Sequence, residues 1–417
     1  MNDQGRTHYG SIPCLHLTGG ARARGLAYGR GAAELIAKAL DVYRGYFRRF
    51  AGVDWADAAR AAAGVWRLLE QHTPDIAVEI AGIAEGSGQE LLDIVALNAR
   101  TEIAYGLIPA PQRQGAGGAD GRDGGGGSGG GGGWGGAVSD ECTSFAILSE
   151  HTGGRGVLAG QNWDWLAACM PIRVALHIEL ENGQELLTFC EAGQVGKIGV
   201  NRTGLVVCLN LLASGADGME GIPVHVLCRK ALEQAHLSDA LRVVSQWPRA
   251  ASSNLLLAQS YGENDGEALD VEFSPRGWAV LEANDGLLVH TNHFLADCGA
   301  PDQGLARPGA KSTFVRLARA RRLLRLLSRT RAVGGTPGGG ISPEDLMAVL
   351  GDHLDRPYSV CRHIPPPPDE AGQTDLAFIA DPGRGLIWVS DGPPCGEGRE
   401  GPTFVRYRLP WAGGGGA

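Results

Sequence analysis

A glycine run near the first third of this 417-residue chain limits how its core can be built. Residues 115–136 read GAGGADGRDGGGGSGGGGGWGG. Such a segment has few side chains to bury and loses the most backbone entropy on ordering. We therefore predict a flexible linker over residues 111–137, which separates a front segment, residues 1–110, from a larger segment, residues 138–417.

The two segments differ in hydrophobic periodicity. Apolar residues recur at helical spacing in residues 32–50, 55–72, 74–85 and 91–107. Thr73 is the expected N-cap of the third of these helices, because Pro74 suits the first helical position. The front segment is thus predicted to be mainly helical, with one strand at residues 11–17.

The larger segment predicts a mixture of strands and helices. Short apolar runs bounded by Gly and Asn predict strands at residues 143–148, 156–160, 175–180, 186–190, 204–211, 254–259, 279–281 and 386–389. Helical patterns return at residues 223–234, 238–246, 312–328 and 342–354. This order indicates sheet layers covered by helices.

Composition excludes several classes of protein. The chain has 37 Lys+Arg and 46 Asp+Glu, a net charge of −9, which argues against general binding to nucleic acid or to anionic membranes. It has neither an apolar run of the ~18–20 residues that cross a bilayer nor the apolar core of a signal peptide at its start. Its nine Cys never show CxxC spacing, which disfavours a zinc ribbon or a thioredoxin-type site. We expect a soluble, cytoplasmic protein without a metal site.

The segment after the linker, SDECTSFAILSEHTGGRGVLAGQNWDW, predicts a hairpin. If residues 142–148 and 156–164 pair around the turn at residues 149–156, opposed residue numbers sum to about 305. Asp164 then lies opposite Cys142, plus or minus one residue. Opposed residues are ~4.5–5.5 Å apart, so a carboxylate at this distance can act on a thiol or an amine. An ordinary hairpin with a buried Cys also fits this pattern.

Two motifs within this hairpin resemble a known family. Glu141-Cys142-Thr143-Ser144 and the later Gly160-Gln161-Asn162-Trp163-Asp164 are similar to the isopenicillin N acyltransferase (acyl-coenzyme A:6-aminopenicillanic acid acyltransferase) family of N-terminal nucleophile hydrolases. Other segments that agree in order are residues 98–103, 191–193, 196–201, 251–254, 272–275, 290–293, 312–324 and 357–362. The resemblance covers nearly the whole chain.

The resemblance implies an α+β fold, a four-layer αββα sandwich of two facing antiparallel sheets with helices outside. It also implies a precursor that cleaves itself between Glu141 and Cys142, leaving a helical α chain and a β chain that begins with Cys142. The freed residue then carries an α-amine with a pKa of about 7.7–8.0 beside a thiol with a pKa of about 8.5. One residue thus supplies both nucleophile and base.

Other catalytic residues follow from the resemblance one at a time. Asp164 is expected to orient the amine of Cys142, Asn254 to donate to the oxyanion, and Arg316 to favour the thiolate. If the register differs, Arg319 or Arg321 takes the place of Arg316. A backbone N–H near Gly193 or Gln194 is a further candidate for the oxyanion hole, and no cofactor is required.

The implied activity is acyl transfer through an acyl-Cys142 intermediate. The donor would be an amide or thioester, such as an N-acyl amino acid, a small peptide, a β-lactam side chain or acyl-coenzyme A, and the acceptor an amine or water. The alternative, motivated by the glycine-rich insert beside the scissile bond, is an unprocessed and inactive binding protein of the same fold.

Three further signals have simpler interpretations. Residues 311–331 hold eight basic side chains and no acidic ones, typical of a membrane or nucleic-acid helix, but Leu317, Ala320, Leu324 and Leu327 form the stripe of a helix that covers a core. His290 and His293 lack further ligands at zinc spacing, so we expect structural histidines. A papain-like Cys-His enzyme is disfavoured because its local signature is absent.

Overall fold

Two β-sheets form the centre of the molecule in the computed structural model, which describes residues 7–107, 142–301, 312–333, 339–364, 372–397 and 403–412. The strands are β1 His8–Tyr9, β2 Ile12–Leu17, β3 Thr143–Ile147, β4 Leu158–Trp165, β5 Arg173–Glu179, β6 Glu185–Glu191, β7 Ile198–Asn201, β8 Leu205–Leu211, β9 Ser253–Ser260, β10 Gly266–Phe273, β11 Trp278–Glu282, β12 Leu287–His290, β13 Gln373–Asp381, β14 Leu386–Asp391 and β15 Phe404–Arg408. One sheet has the order β1-β2-β5-β6-β7-β8-β9-β10-β11, and the other β12-β3-β4-β13-β14-β15.

The helices flank these sheets. They are α1 Ala21–Gly31, α2 Ala33–Tyr46, α3 Trp55–His72, α4 Pro74–Ser87, α5 Leu91–Asn98, α6 Arg100–Gly106, α7 Val224–Leu232, α8 Leu237–Gln246, α9 Ser312–Val333 and α10 Pro343–Leu350. None in the described part of the chain is long and apolar enough to cross a membrane.

The sheets and helices form four layers. Polar bonds join the two sheets face to face: the Ser144 hydroxyl donates to Asn210 Oδ1 at 2.6 Å, and the Leu209 N–H to Gln161 Oε1 at 2.7 Å. Helices α9 and α10 bury their apolar residues on the other face of the six-stranded sheet, while α7 and α8 pack on the nine-stranded sheet. The predicted α+β class and αββα sandwich are confirmed.

The hairpin of β3 and β4 has the predicted register. Opposed residues run from Thr143 with Asn162 to Ile147 with Leu158, and their numbers sum to 305. Continued by one step, this register sets Cys142 opposite Trp163. Asp164 is therefore one residue beyond the position opposite Cys142, within the margin expected from the sequence.

The front segment is helical but also completes the larger sheet. Strand β2 pairs in parallel with β5, so that Cys14 lies opposite Ala175. Buried ion pairs fasten its helices: Arg100 Nη2 lies 2.9 Å from Glu191 Oε1, and Glu79 Oε1 lies 2.8 Å from Arg229 Nη1. The predicted linker, residues 111–137, and Glu141 lie outside the described residues.

Three local predictions are corrected. Residues 91–107 form two helices rather than one, because the backbone departs from helical geometry at Ala99 (φ −103°, ψ 21°), which ends α5 and precedes α6. In residues 32–50, α2 ends at Tyr46 and a π-helix, Phe47–Ala51, follows. Thr73 is at the N-cap position, but its hydroxyl donates back to Leu69 O instead of capping α4.

Candidate active site

Cys142 is buried at the start of β3, with 3% of its surface exposed. Its side chain belongs to the main apolar core, which fills the space between the sheets. Its carbonyl oxygen accepts a hydrogen bond of 2.8 Å from Arg316 Nη1. The predicted nucleophile is therefore shielded from bulk water and held through its backbone by a cation.

Arg316 reaches Cys142 from the first turns of α9. It donates to Thr143 Oγ1 at 3.0 Å and to Asn292 Oδ1 at 3.1 Å, in addition to the bond to Cys142. Burial lowers the pKa of Arg316 to about 10, although Asp164 and Cys142 nearby raise it. The side chain thus keeps its positive charge at neutral pH.

The two alternative arginines on α9 point elsewhere. Arg319 forms a bidentate pair with Asp352, at 3.0 and 2.7 Å. Arg321 Nη2 lies 3.5 Å from Val289 O. Of the three candidates, Arg316 is the one that the fold brings to Cys142.

Asp164 is buried on β4 and is held by a residue of the neighbouring strand β13. Thr374 donates its hydroxyl to Asp164 Oδ1 at 2.6 Å, and the same hydroxyl oxygen accepts the Arg362 N–H at 3.0 Å. Asn162, two residues before Asp164, donates its amide to Val360 O at 2.8 Å. The motif at residues 357–362 therefore lies against the motif that carries Asp164.

Asn254 lies on β9 in a buried polar chain between the sheets. Its Nδ2 donates to Asp270 Oδ1 at 2.8 Å and to Asn210 Oδ1 at 3.3 Å. Asn210 Oδ1 also accepts from Ser144, two residues after Cys142. To donate to an oxyanion, Asn254 has to release one of these bonds, and the longer one, to Asn210, is the weaker.

Two residues of this region, Asn210 and Thr374, were not identified from the sequence. Asn210 is fully buried, and its Nδ2 has no hydrogen-bond partner within the described ranges. A lone Asn inside the apolar strand LVVCLNL was the available signal, because a buried amide needs partners. Thr374 gave no signal, since its role depends on a pairing between distant strands.

The expected backbone donors near Gly193 and Gln194 are engaged in other bonds. The Gly193 N–H donates to the Tyr28 hydroxyl at 2.8 Å, and the Gln194 N–H donates to Glu191 O at 3.1 Å. The structure gives no support to an oxyanion donor at either residue.

His290 and His293 have structural partners. His290 Nε2 lies 2.6 Å from Glu272 Oε1, and its Nδ1 lies 2.7 Å from Thr291 O. Burial opposes the charge of His290, but the carboxylates of Asp270 and Glu272 outweigh it and raise its pKa. His293 Nδ1 lies 2.9 Å from Thr313 Oγ1.

The basic stretch is also largely explained by packing. Leu317, Ala320 and Leu324 are buried against the six-stranded sheet, as the apolar stripe predicts. Its basic face is not wholly solvated, because Arg316 is 1% exposed. This helix therefore serves both the core and the surroundings of Cys142.

Comparison with known proteins covers more than half of the chain. The profile of the family described as acyl-coenzyme A:6-aminopenicillanic acid acyl-transferase matches residues 151–382. The acyl-coenzyme A:6-aminopenicillanic-acid-acyltransferase 40 kDa form of Emericella nidulans is 32% identical over 295 residues, which cover 70% of this chain and 72% of the relative.

Solved structures show weaker likeness. Penicillin V acylase from Agrobacterium tumefaciens is 15% identical, with a TM-score of 0.39 over 60% of this chain and 83% of the acylase. A mutant of the conjugated bile acid hydrolase from Clostridium perfringens is 12% identical, with a TM-score of 0.41 over 64% of this chain and 92% of the hydrolase. The profile match and the Emericella relative show the family: this chain belongs to the acyl-coenzyme A:6-aminopenicillanic acid acyltransferase family.

Proposed function

We propose that this chain is a self-processing cysteine N-terminal nucleophile enzyme that transfers or hydrolyses acyl groups through an acyl-Cys142 intermediate. The observation that carries the proposal is the bond of 2.8 Å between the buried Arg316 guanidinium and Cys142 O at the start of β3. Membership of an acyltransferase family supports the same class of chemistry.

Processing would begin with the Cys142 thiolate attacking the carbonyl carbon of Glu141. The carbon–nitrogen bond breaks, the nitrogen of Cys142 takes a proton and becomes an amine, and the acyl group remains on sulfur as a thioester. Water then hydrolyses the thioester, which gives a carboxylate at Glu141 and restores the thiol. Arg316 would favour the thiolate, because a nearby cation stabilises the charged form of a Cys.

In the mature enzyme, the α-amine of Cys142 would take the proton of its own thiol as the sulfur attacks the acyl donor. The resulting ammonium returns that proton to the leaving group, and an acyl-Cys142 thioester forms. An amine or water then attacks this thioester and regenerates the thiol. The amine passes on each proton within the same half of the cycle, first from the thiol to the leaving group and then from the attacking amine or water to the Cys142 sulfur.

The neighbouring residues would act on charge and orientation. Asp164, which accepts the Thr374 hydroxyl at 2.6 Å, would orient the ammonium of Cys142. Asn254 would donate one amide N–H to the oxyanion after release from Asn210, to which its bond is 3.3 Å long. Both side chains are buried, and electrostatic interactions are stronger in the interior than at an exposed surface.

The name of the Emericella nidulans relative suggests the class of donor and acceptor. That relative is an acyl-coenzyme A:6-aminopenicillanic-acid-acyltransferase, so we propose an acyl thioester as donor and a primary amine as acceptor. Hydrolysis of the same intermediate is the competing outcome, and exclusion of water from Cys142, which is 3% exposed, favours transfer.

The proposal is tested by trapping the acyl group on the protein. The full-length chain is mixed with an acyl-coenzyme A and quenched in acid, and the masses of its peptides are compared with and without 6-aminopenicillanic acid as acceptor. We expect one acyl group on the Cys142 peptide, which disappears as the acylated amine forms.

Two variants serve as controls for this trapping experiment. Cys14→Ala removes a partly exposed thiol and should leave the adduct unchanged, whereas Cys142→Ala should abolish it. Turnover of the donor by the Cys142→Ala variant at the wild-type rate would contradict the proposal.

A further inference from the structure

We propose that His353, Cys361, His363 and Cys395 form a binding site for a zinc ion. One ligand atom from each residue, a ring nitrogen or a thiol sulfur, lies within 4.8 Å of all the others. The group lies beside the residues that hold Asp164, but the inference does not depend on the proposed function. This proposal differs from the expectation, based on the spacing of the Cys residues, that the protein has no metal site.

The distances match a tetrahedron of two nitrogens and two sulfurs. Around Zn²⁺, bonds of about 2.0–2.1 Å to nitrogen and 2.3 Å to sulfur place the nitrogens about 3.3 Å apart and each nitrogen about 3.6 Å from each sulfur. His363 Nε2 lies 3.1 Å from His353 Nε2, 3.4 Å from Cys361 Sγ and 3.5 Å from Cys395 Sγ.

Hydrogen bonding alone does not explain this convergence. His363 Nε2 has room for one proton at most, yet it faces three polar atoms at once. A cation at the centre of the four atoms satisfies all of them, because each then directs a lone pair at the metal. Two thiolates also neutralise the charge of Zn²⁺.

The residues around the group suit metal ligands. His363 Nδ1, on the side of the ring away from the cluster, lies 3.7 Å from Glu397 Oε2, which is beyond hydrogen-bond distance but close enough for the carboxylate to favour a metal-bound ring. The Glu397 N–H lies 3.4 Å from Cys395 Sγ and would stabilise a thiolate. Arg356 balances the carboxylate of Glu397 at 2.7 Å.

Four protein ligands leave no open position, which is typical of structural zinc. His353, Cys361 and His363 follow α10, whereas Cys395 lies in the turn after β14, so the metal would join two loops. The Arg362 N–H, between two of the ligands, donates to Thr374 Oγ1, and Thr374 holds Asp164. The zinc ion would thus stabilise the backbone that positions Asp164.

The first test is the metal content of the tag-free, full-length protein, purified with added zinc and then dialysed. We expect about one zinc per chain by mass spectrometry, and replacement by Co²⁺ should give thiolate-to-cobalt charge-transfer absorption. The variants Cys361→Ser and Cys395→Ser should lose most of the zinc.

Two control variants exclude other sites. His16→Ala breaks the second group of potential ligands, His16, His177 and Glu179, and Cys142→Ala removes the predicted nucleophile. Both should keep the full zinc content. If either control variant lost its zinc while Cys361→Ser kept it, the zinc would be bound at another site and the proposal would be overturned.

Alkylation of the wild-type protein keeps the test decisive if the Ser variants fail to fold. Zinc should protect the thiols of Cys361 and Cys395 from a maleimide, and a chelator should expose both. A folded wild-type protein that retains no zinc contradicts the proposal, as does a protein isolated with a Cys361–Cys395 disulfide in non-reducing peptide maps.

Discussion

Arg316 and Cys142 are 174 residues apart in sequence, yet Arg316 Nη1 donates to Cys142 O at 2.8 Å. The arginine is buried, and its bonds to Thr143, Asn292 and Ser312 fix the guanidinium plane. A positive charge is therefore held at the residue that the proposal makes the nucleophile.

Replacing Arg316 by Lys should slow self-cleavage. Lysine keeps the charge but loses the planar set of donors. Loss of one charge-assisted hydrogen bond costs about 1.5–3 kcal/mol, so we expect the rate constant to fall about ten- to a hundredfold. The rate constant is measured by refolding the precursor and following its cleavage on gels over time. Arg319→Lys, whose side chain pairs with Asp352, is the matched control and should cleave at the wild-type rate. The reverse order of the two rates contradicts the assignment.

Thr374→Val should reduce acyl transfer while leaving the fold intact. The change keeps the shape of the side chain but removes the hydroxyl that donates to Asp164 at 2.6 Å and accepts from the Arg362 N–H. We expect kcat to fall about tenfold or more, and Thr374→Ser, which restores the hydroxyl, to recover most of it. Equal activity of the Val and Ser variants would show that the hydroxyl does not position Asp164.

Asn254→Ala should lower kcat by about 10²–10³ if this amide donates to the oxyanion. Steady-state rates with an acyl thioester measure the effect, and circular dichroism checks the fold. Asn210→Ala is the informative companion, because its own amide nitrogen has no partner within the described ranges. A larger loss in Asn210→Ala than in Asn254→Ala would transfer the oxyanion role to Asn210.

Glu102→Gln should change how stability depends on pH. Burial raises the pKa of Glu102 from its ordinary value of 4.5 to about 7. The folded protein therefore binds this proton more tightly than the unfolded chain, and the stability it contributes below pH 4.5 is lost as the pH rises through 7.

The glutamine is neutral at all pH and can still accept the Val224 N–H, as Glu102 Oε1 does at 2.9 Å. As the pH rises from 4 to 8, the free energy of unfolding of the variant should increase relative to that of the wild type, by on the order of 3 kcal/mol at most. Urea unfolding at both pH values measures the gain. A difference that does not vary with pH contradicts the account of this residue.

The hairpin and the mixture of strands and helices were predictable because they depend on local pattern, whereas the four-layer sandwich was implied by the family resemblance. Alternation and turn residues set the register of β3 and β4, and the helical stripe of α9 identified which apolar residues face the sheet. Strand β10 was missed because its sequence, GEALDVEF, is acidic, and local pattern does not show that Asn254 and His290 compensate the buried Asp270 and Glu272.

The candidate site residues follow from the family resemblance, and the sequence does not show how the fold brings them together. Helical spacing could not choose among Arg316, Arg319 and Arg321, because only the packing of α9 on β12 decides which of them points toward Cys142. The contribution of Thr374 depends on the pairing of β13 with β4, between segments about 210 residues apart. The four candidate zinc ligands were missed for the same reason, since Cys395 joins them only through the fold.

Whether Cys142 becomes an N-terminal nucleophile is decided by the intact mass of the purified protein beside its Cys142→Ala variant. We expect two wild-type fragments, the larger beginning at Cys142, and an uncleaved variant. A single full-length wild-type species that stays intact for days would contradict it and favour an unprocessed binding protein.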